Sequence, residues 1–143
     1  MLYIRMAREE DKDSIRRVHL AATGNTVNDS ESYWDEPIRS GRVLIAEQDN
    51  LVIGFGTIDI RAREQIQHLY VASGYQGAGV GAKLLKELEE IGRRAGLKTL
   101  RLHAAPAAER FYARQGYREA EPSETIDHDH EGVQMIKRLR DSG

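Results

Sequence analysis

The chain has 143 residues, of which 40% are hydrophobic and 31% are charged, and it contains no cysteine. This length and composition suit one globular domain with a real core and argue against disorder. The net charge of -2 gives no basic face for nucleic acid, and the lack of cysteine excludes disulfides, thiolate metal sites and a thiol nucleophile. We therefore expect a single domain over residues 1–143 with no nucleic-acid partner.

The first half of the chain is predicted to contain a strand, a helix, an irregular segment and then two strands. Leu2–Met6 is a strand-like run, and apolar residues at helical spacing from Ser14 predict a helix that ends near Gly24. Residues 25–40 are polar without a clear period, which predicts a loop with at most one short helix. The runs at residues 42–47 and 51–60 are joined by a short turn typical of antiparallel strands.

The second half alternates strands with helices. Gln65–Val71 is a further strand-like run, and four glycines follow it within residues 74–81. One apolar helical face then predicts a helix that is capped by Gly96. The chain continues with a strand at residues 100–104, a helix at residues 107–115 that ends at Gly116, and a strand at residues 133–139. This order predicts an α/β fold with a mixed sheet.

Targeting and membrane segments are not expected. Charges begin at Arg5 without an apolar core of signal-peptide length, and no segment approaches the length of about 18 apolar residues that a membrane helix needs. We therefore expect a cytoplasmic protein with no membrane partner.

The glycine-rich stretch GYQGAGVGA at residues 74–82 partly fits several phosphate-binding designs. A dinucleotide fingerprint needs a strand running almost directly into its first glycine, and an acidic residue at the end of the next strand. Five residues separate the strand from Gly77 here, and the next strand ends without an acid. The nucleoside-triphosphate loop needs a hydroxyl after its lysine, whereas Leu84 follows Lys83. An anion site at a helix N-terminus remains, with a simple tight bend as the alternative.

Two motifs resemble those of the GNAT superfamily of acetyl-CoA-dependent N-acetyltransferases. The family's pyrophosphate signature is Gln or Arg, two residues, Gly, one residue, then Gly or Ala, and residues 76–81, QGAGVG, match it in full. Residues 108–117, AERFYARQGY, are similar to the second motif, A-x-x-F-Y-x-x-x-G-F. The stretch HLYVASGY at residues 68–75, the first three predicted strands and the last one also fall where the family places them. The resemblance implies a central mixed sheet flanked by helices on both faces.

The resemblance also implies where the co-substrate acetyl-CoA would bind. Main-chain groups of Leu69 and Val71 would hold the pantetheine arm like an added strand. The pyrophosphate would be held by amides of the loop, namely Gln76, Gly77, Ala78, Gly79, Val80, Gly81 and Ala82. No metal site is expected, because residues 128–130, HDH, lie in an acidic stretch with no third distant ligand.

Acetyl transfer needs a proton for the leaving thiolate and a free lone pair on the amine. By the resemblance, Tyr112 would protonate the coenzyme A thiolate, and a packed core aromatic is the alternative. The base stays open: Gln65 and Gln67 stand where members often carry Glu or His, and glutamine cannot take a proton. His68 should face the other way as a packed or hydrogen-bonded residue, His103 is a second candidate, and water is a third.

The acceptor would be a small-molecule or peptide amine. In the family it is set by the segment between the first helix and the second strand, where this chain has Tyr33 and Trp34 among acidic residues. Such residues would attract a cationic amine, and the alternative is a solvated lid with its aromatics packed inward. Without cysteine, direct attack in a ternary complex is expected. A non-catalytic coenzyme A-binding module, a transferase of longer acyl groups and a homodimer stay open.

Overall fold

The computed structural model describes residues 1–24, 31–125 and 132–140. Within them lie, in chain order, β1 (Leu2–Met6), α1 (Lys12–Thr23), α2 (Asp35–Arg39), β2 (Val43–Gln48), β3 (Leu51–Asp59), β4 (Gln65–Val71), α3 (Val80–Arg94), β5 (Thr99–Ala104), α4 (Glu109–Arg114), β6 (Arg118–Glu119) and β7 (Val133–Arg138). The strands form one mixed sheet in the order β1-β2-β3-β4-β5-β7-β6. The predicted α/β fold with a mixed sheet and helices is therefore confirmed.

By its contacts the chain divides into two compact units. The first consists of residues 1–58 and 68–88, and the second of residues 59–67 and 89–143. The boundaries fall within β3, β4 and α3, so each unit contains part of all three elements.

The first unit is built on the antiparallel pairs β1–β2 and β2–β3. Asp49 and Asn50 form the β2–β3 turn with φ of 53° and 65°, and two positive φ values match the right-handed twist of a hairpin. The core cluster of this unit includes Ile15 and Val18 of α1 and Phe55 of β3, all at most 3% exposed. Burial of these side chains supplies the hydrophobic stabilisation of this unit.

Helices pack on both faces of β3 in the first unit. A Cβ added at Gly56 would come within 2.6 Å of Leu88 Cδ1, and one at Gly54 within 3.3 Å of Leu84 Cδ1. These two glycines therefore let α3 approach the strand closely. Phe55 alternates to the other face, where its ring lies 6.4 Å from that of His19 on α1. This close packing fixes the first turns of α3 relative to β3.

The second unit contains the antiparallel pairs β5–β7 and β6–β7 and the parallel pair β4–β5, which registers Gln65 with Arg101. The buried Glu89 accepts hydrogen bonds from the Tyr117 hydroxyl and from the Lys137 ammonium, each at 2.9 Å. This network joins Glu89 of α3, Tyr117 in the segment between α4 and β6, and Lys137 of β7. In the described part of the chain no helix has the length and apolar character needed to cross a membrane.

One predicted helix differs in detail from the structure, whereas the segment before β2 agrees with its prediction of at most one short helix. The helix predicted at residues 107–115 begins as a 3₁₀ turn at Pro106–Ala108 and becomes α-helical only from Glu109. Proline fits the first turn of a helix, because its missing N–H is not needed there. The predicted loop before β2 contains, in its described part, a 3₁₀ turn at Glu31–Trp34 and then α2.

Candidate active site

The glycine loop of residues 74–79 adopts a backbone that favours glycine. Gly74, Gly77 and Gly79 have φ of 92°, 85° and 82°, values that side-chain-bearing residues rarely adopt. A Cβ added at any of the three would meet nothing within 4 Å. The glycines are therefore required by backbone conformation and leave the outer side of the loop open. Residues 76–79 are all exposed.

The loop leads directly into the N-terminus of the 15-residue helix α3. The Lys83 N–H donates to the Gly79 carbonyl at 3.1 Å and closes the first turn. The amides of Val80, Gly81 and Ala82 therefore have no acceptor within the helix. Together with the positive end of the helix dipole they form a place for an anion.

Hydrogen bonds fix the loop to β3 and β4. The Ala72 amide donates to the Ile53 carbonyl at 2.7 Å, and the Tyr75 amide donates to the Ala72 carbonyl at 3.1 Å. The Gln76 side chain donates from Nε2 to the Val71 carbonyl at 3.2 Å. The glutamine of the signature therefore closes the loop in this structure, and its side chain is engaged with the protein's own backbone.

The main-chain groups of β4 alternate between its two edges. The Ala72 amide bonds to β3, and a Cβ added at Gly54 would lie 2.9 Å from the Tyr70 carbonyl oxygen. Tyr70 and Ala72 thus turn their main-chain groups toward β3. By alternation the main-chain groups of Leu69 and Val71 point to the opposite edge of β4.

Six aromatic side chains meet in the first unit and form what we term the aromatic cluster. The rings lie with centroid separations between 4.7 and 6.4 Å in contacting pairs. They come from α1, the turn before α2, β3 and β4, and they are His19, Tyr33, Trp34, Phe55, His68 and Tyr70. Most of these pairs are edge-to-face or tilted, which is the arrangement that ring quadrupoles prefer.

His68 occupies the polar centre of the cluster. Its Nδ1 is hydrogen-bonded to Thr57 Oγ1 at 2.7 Å, and Thr57 is 2% exposed. Burial and the neighbouring His19 lower the pKa of His68 to about 4, so its imidazole is neutral at physiological pH. The expectation of a packed or hydrogen-bonded His68 is confirmed. Thr57 and His19 were not predicted, because strand alternation alone cannot show which side chains meet across elements.

Tyr33 and Trp34 lie side by side but differ in exposure. Trp34 is 0% exposed, and its indole N–H has no hydrogen-bond partner among the described residues, whereas Tyr33 is 39% exposed. Asp35, next in the chain, forms an ion pair with Lys12 at 2.6 Å. The acidic charge at Asp35 is therefore balanced within the protein. Residues 25–30, which complete the predicted acceptor segment, lie outside the described residues.

Tyr112 belongs to the second unit. It is 8% exposed on α4, and its ring lies 5.1 Å from that of Phe111 and 6.0 Å from that of Tyr117. Burial next to two aromatic rings fits a packed core aromatic, and it also fits a proton donor whose hydroxyl is held in place. His103, the second base candidate, is half-buried on β5 opposite Gln134 of β7.

The described residues hold few potential metal ligands close to one another. No cluster of three or more His, Cys, Asp or Glu side chains suited to a metal ion occurs in residues 1–24, 31–125 and 132–140. The HDH stretch at residues 128–130 lies outside these ranges.

A protein-family model described as an acetyltransferase (GNAT) domain matches residues 12–139 of the chain. This match covers the glycine loop, β4, the aromatic cluster and α4. No curated protein matches the chain in sequence.

Several solved structures are similar to the chain along nearly all of its length. N-acetylglutamate synthase from Neisseria gonorrhoeae, complexed with coenzyme A and N-acetyl-glutamate, is 20% identical with a TM-score of 0.81 over 98% of this chain. The chain spans only 35% of that protein. A GCN5-related N-acetyltransferase from Rhodopseudomonas palustris is 24% identical with a TM-score of 0.79, covering 96% of this chain and 95% of the other. PaiA N-acetyltransferase from Thermoplasma acidophilum, in complex with coenzyme A, is 23% identical with a TM-score of 0.72. The match covers 96% of this chain and 99% of the other.

Proposed function

The chain belongs to the GNAT acetyltransferase family, and from this premise we propose that it transfers the acetyl group of acetyl-CoA to a primary amine by direct attack in a ternary complex. The observation that carries the proposal is the glycine loop at the start of α3. Its open, positive-φ backbone and the free amides of the first helical turn suit a pyrophosphate, which needs several N–H donors without side chains in the way.

The edge of β4 that faces away from β3 offers a binding place for the pantetheine arm of the coenzyme. Main-chain groups of Leu69 and Val71 point away from β3, so a pantetheine arm can pair with them as an added strand would. The Val71 carbonyl already accepts the Gln76 side chain, which favours the amides over that carbonyl as the groups that bind the arm. Two of the similar structures named above contain coenzyme A, which agrees with this use of the fold.

The reaction we propose is a direct nucleophilic substitution at the thioester. The amine lone pair attacks the acetyl carbonyl carbon, a C–N bond forms, and the C–S bond breaks. The amine loses one proton, and the departing thiolate gains one, for which we assign Tyr112 as the donor. Gln65 and Gln67 cannot accept the proton that the amine loses, so we assign the removal of that proton to water.

The proposal is tested by following free thiol released from acetyl-CoA in the presence of a panel of amines. The panel contains α-amino amides, side-chain lysine amides, polyamines and aminoglycosides, and mass spectrometry identifies the acetylated product. Sustained turnover with a product heavier by one acetyl group supports the proposal. Tight coenzyme A binding without turnover of any amine would instead indicate the non-catalytic coenzyme A-binding module, and better turnover with longer acyl-CoA donors would indicate a different acyl group.

A further inference from the structure

Three members of the aromatic cluster reach the protein surface. Tyr33 is 39% exposed, and His68 and Tyr70 are half-buried, whereas His19, Trp34 and Phe55 behind them are buried. We call the surface formed by Tyr33, His68 and Tyr70 the aromatic face. A hydrophobic core has no need of two imidazoles, an indole and two phenols, because burying their polar atoms costs free energy. Their convergence therefore points to recognition of a ligand.

The aromatic face adjoins the strand positions assigned to the pantetheine arm. His68 and Tyr70 alternate along β4 with Leu69 and Val71. The same strand therefore carries the proposed pantetheine edge and two of the three side chains of the aromatic face. An acceptor held on this face would lie against the strand along which the acyl group is delivered.

The three side chains that form the aromatic face are uncharged at neutral pH. Among the described residues, no Asp or Glu forms a hydrogen bond or ion pair with Tyr33, His68 or Tyr70. Burial raises the pKa of Tyr33, and burial together with Tyr33 raises that of Tyr70. Burial, together with the neighbouring His19 of α1, lowers the pKa of His68 to about 4. All three groups are held in their uncharged forms.

We propose that the aromatic face is the acceptor subsite and that it selects a weakly basic primary amine carried beside an aromatic ring, such as the α-amino group of an N-terminal aromatic residue. This inference rests on the proposed function. The ring of the acceptor would pack against Tyr33 and Tyr70, and its amine would be taken up as the neutral base.

The preference for a weak base follows from the environment of the site. Desolvation that keeps His68 neutral also disfavours an ammonium ion at the same place. Cation–π attraction acts in the opposite direction, but no Asp or Glu of the described residues is hydrogen-bonded or ion-paired to the three side chains of the aromatic face. An α-amino group has a pKa of about 8 and a lysine side chain one of about 10.4, so at pH 7 the neutral fraction is roughly 200-fold larger for the α-amine. A neutral amine also has the lone pair that attack on the thioester requires.

The test compares three acceptors at saturating acetyl-CoA. L-phenylalaninamide has a weakly basic α-amine beside an aromatic ring. L-alaninamide has the α-amine without the ring, and Nα-acetyl-L-lysinamide has only a strongly basic side-chain amine. We expect kcat/KM at pH 7 to be about two- to tenfold higher for phenylalaninamide than for alaninamide, since one aromatic pair contributes that much. The advantage over the lysine derivative should be about 100-fold or more and should shrink as the pH rises toward 10. Equal or better use of the lysine derivative, or of alaninamide, overturns the inference while leaving the acetyltransferase proposal intact.

Single-residue variants test whether the preference for an aromatic acceptor depends on the aromatic face. Tyr33→Leu and Tyr70→Leu should each raise the KM for phenylalaninamide about two- to tenfold more than they raise the KM for alaninamide, because only phenylalaninamide has a ring to lose a contact. Tyr3→Leu is the matched control, because Tyr3 is 58% exposed on β1 and lies outside the cluster. Equal effects of the control and the cluster variants would contradict the assignment.

Binding can be measured even if no amine is acetylated. With coenzyme A bound, phenylalaninamide should shift the ring NMR signals of Tyr33, His68 and Tyr70 in the unaltered protein, and cyclohexylalaninamide should shift them less. This result without turnover would refute the proposed reaction and support the binding subsite. Unshifted ring signals would refute the subsite whether or not another amine is acetylated.

Discussion

Replacing Gly79 by glutamate tests the anion site at the start of α3. Gly79 has φ of 82°, and a residue with a side chain in this conformation costs roughly 1–2 kcal/mol. Nothing lies within 4 Å of the added Cβ, so no clash adds to this cost. For a domain of this size the expected fall in Tm is about 3–8 °C, and the variant should still fold.

The effect on coenzyme A binding should be much larger than the effect on folding. A carboxylate about 5 Å from a phosphate costs roughly 3 kcal/mol at an effective dielectric constant of 20, which corresponds to about 100-fold in Kd. Isothermal titration calorimetry with coenzyme A measures this change. Gly79→Ala carries the same backbone strain without the charge, and it should lose much less affinity.

Gly96→Glu is the matched control for Gly79→Glu. Gly96 follows α3 with φ of 89° and also has nothing within 4 Å of an added Cβ. It therefore receives the same charge and similar strain at the other end of the helix, and the affinity for coenzyme A should stay near that of the unaltered protein. A Kd for Gly79→Glu within about threefold of this control would refute the argument that the loop binds the pyrophosphate.

Three further predictions concern other parts of the chain. Tyr112→Phe should lower kcat at least tenfold without changing coenzyme A affinity, since general acid catalysis contributes about 10²–10⁴-fold; unchanged kcat in a folded variant removes this assignment. Tyr117→Phe leaves the buried Glu89 carboxylate without one donor and should lower the free energy of unfolding in urea by about 1–3 kcal/mol, and a loss below about 0.5 kcal/mol contradicts this. For Asp11, burial alone would raise the pKa, but hydrogen bonds from Arg5 and the Arg8 amide more than offset it and leave the pKa lowered. A lowered folded-state pKa stabilises the protein above the unfolded value of about 3.9 and not below the folded one. The loss of stability caused by Asp11→Asn should therefore be largest near pH 7 and shrink below about pH 4, and a loss that stays constant from pH 7 to pH 3 would contradict the reasoning.

Local sequence patterns predicted most of the strands and long helices. β1 and β4 have the predicted bounds, and α1 ends at Thr23 followed by the predicted Gly24, whose φ of 65° is typical of a helix C-cap. The prediction failed for β6, because two residues cannot display an alternating pattern. For α2 the sequence predicted one short helix at most within residues 25–40 and not its bounds, since five residues are too few to show a helical period.

The candidate site was predictable only where it is continuous in sequence. The glycine loop and the start of α3 form one stretch whose composition and order indicate an anion site. By contrast, the aromatic cluster brings His19 of α1 within 5.6 Å of His68 on β4, and no local pattern encodes that contact. The same is true of Thr57, which meets His68 across neighbouring strands. The assignment of Tyr112, the single-domain organisation and a homodimer stay predictions.

The initial-rate pattern for acetyl-CoA and an amine tests the central claim of direct transfer most directly. Thiol release is measured while both concentrations are varied, with phenylalaninamide as the first acceptor and the remaining amines of the panel after it. Direct attack in a ternary complex predicts double-reciprocal lines that intersect, one acetylated amine for each thiol released, and no acetyl group on the protein after incubation with acetyl-CoA alone. Parallel lines, or a trapped acetylated protein that passes its acetyl group to an added amine, would contradict direct transfer.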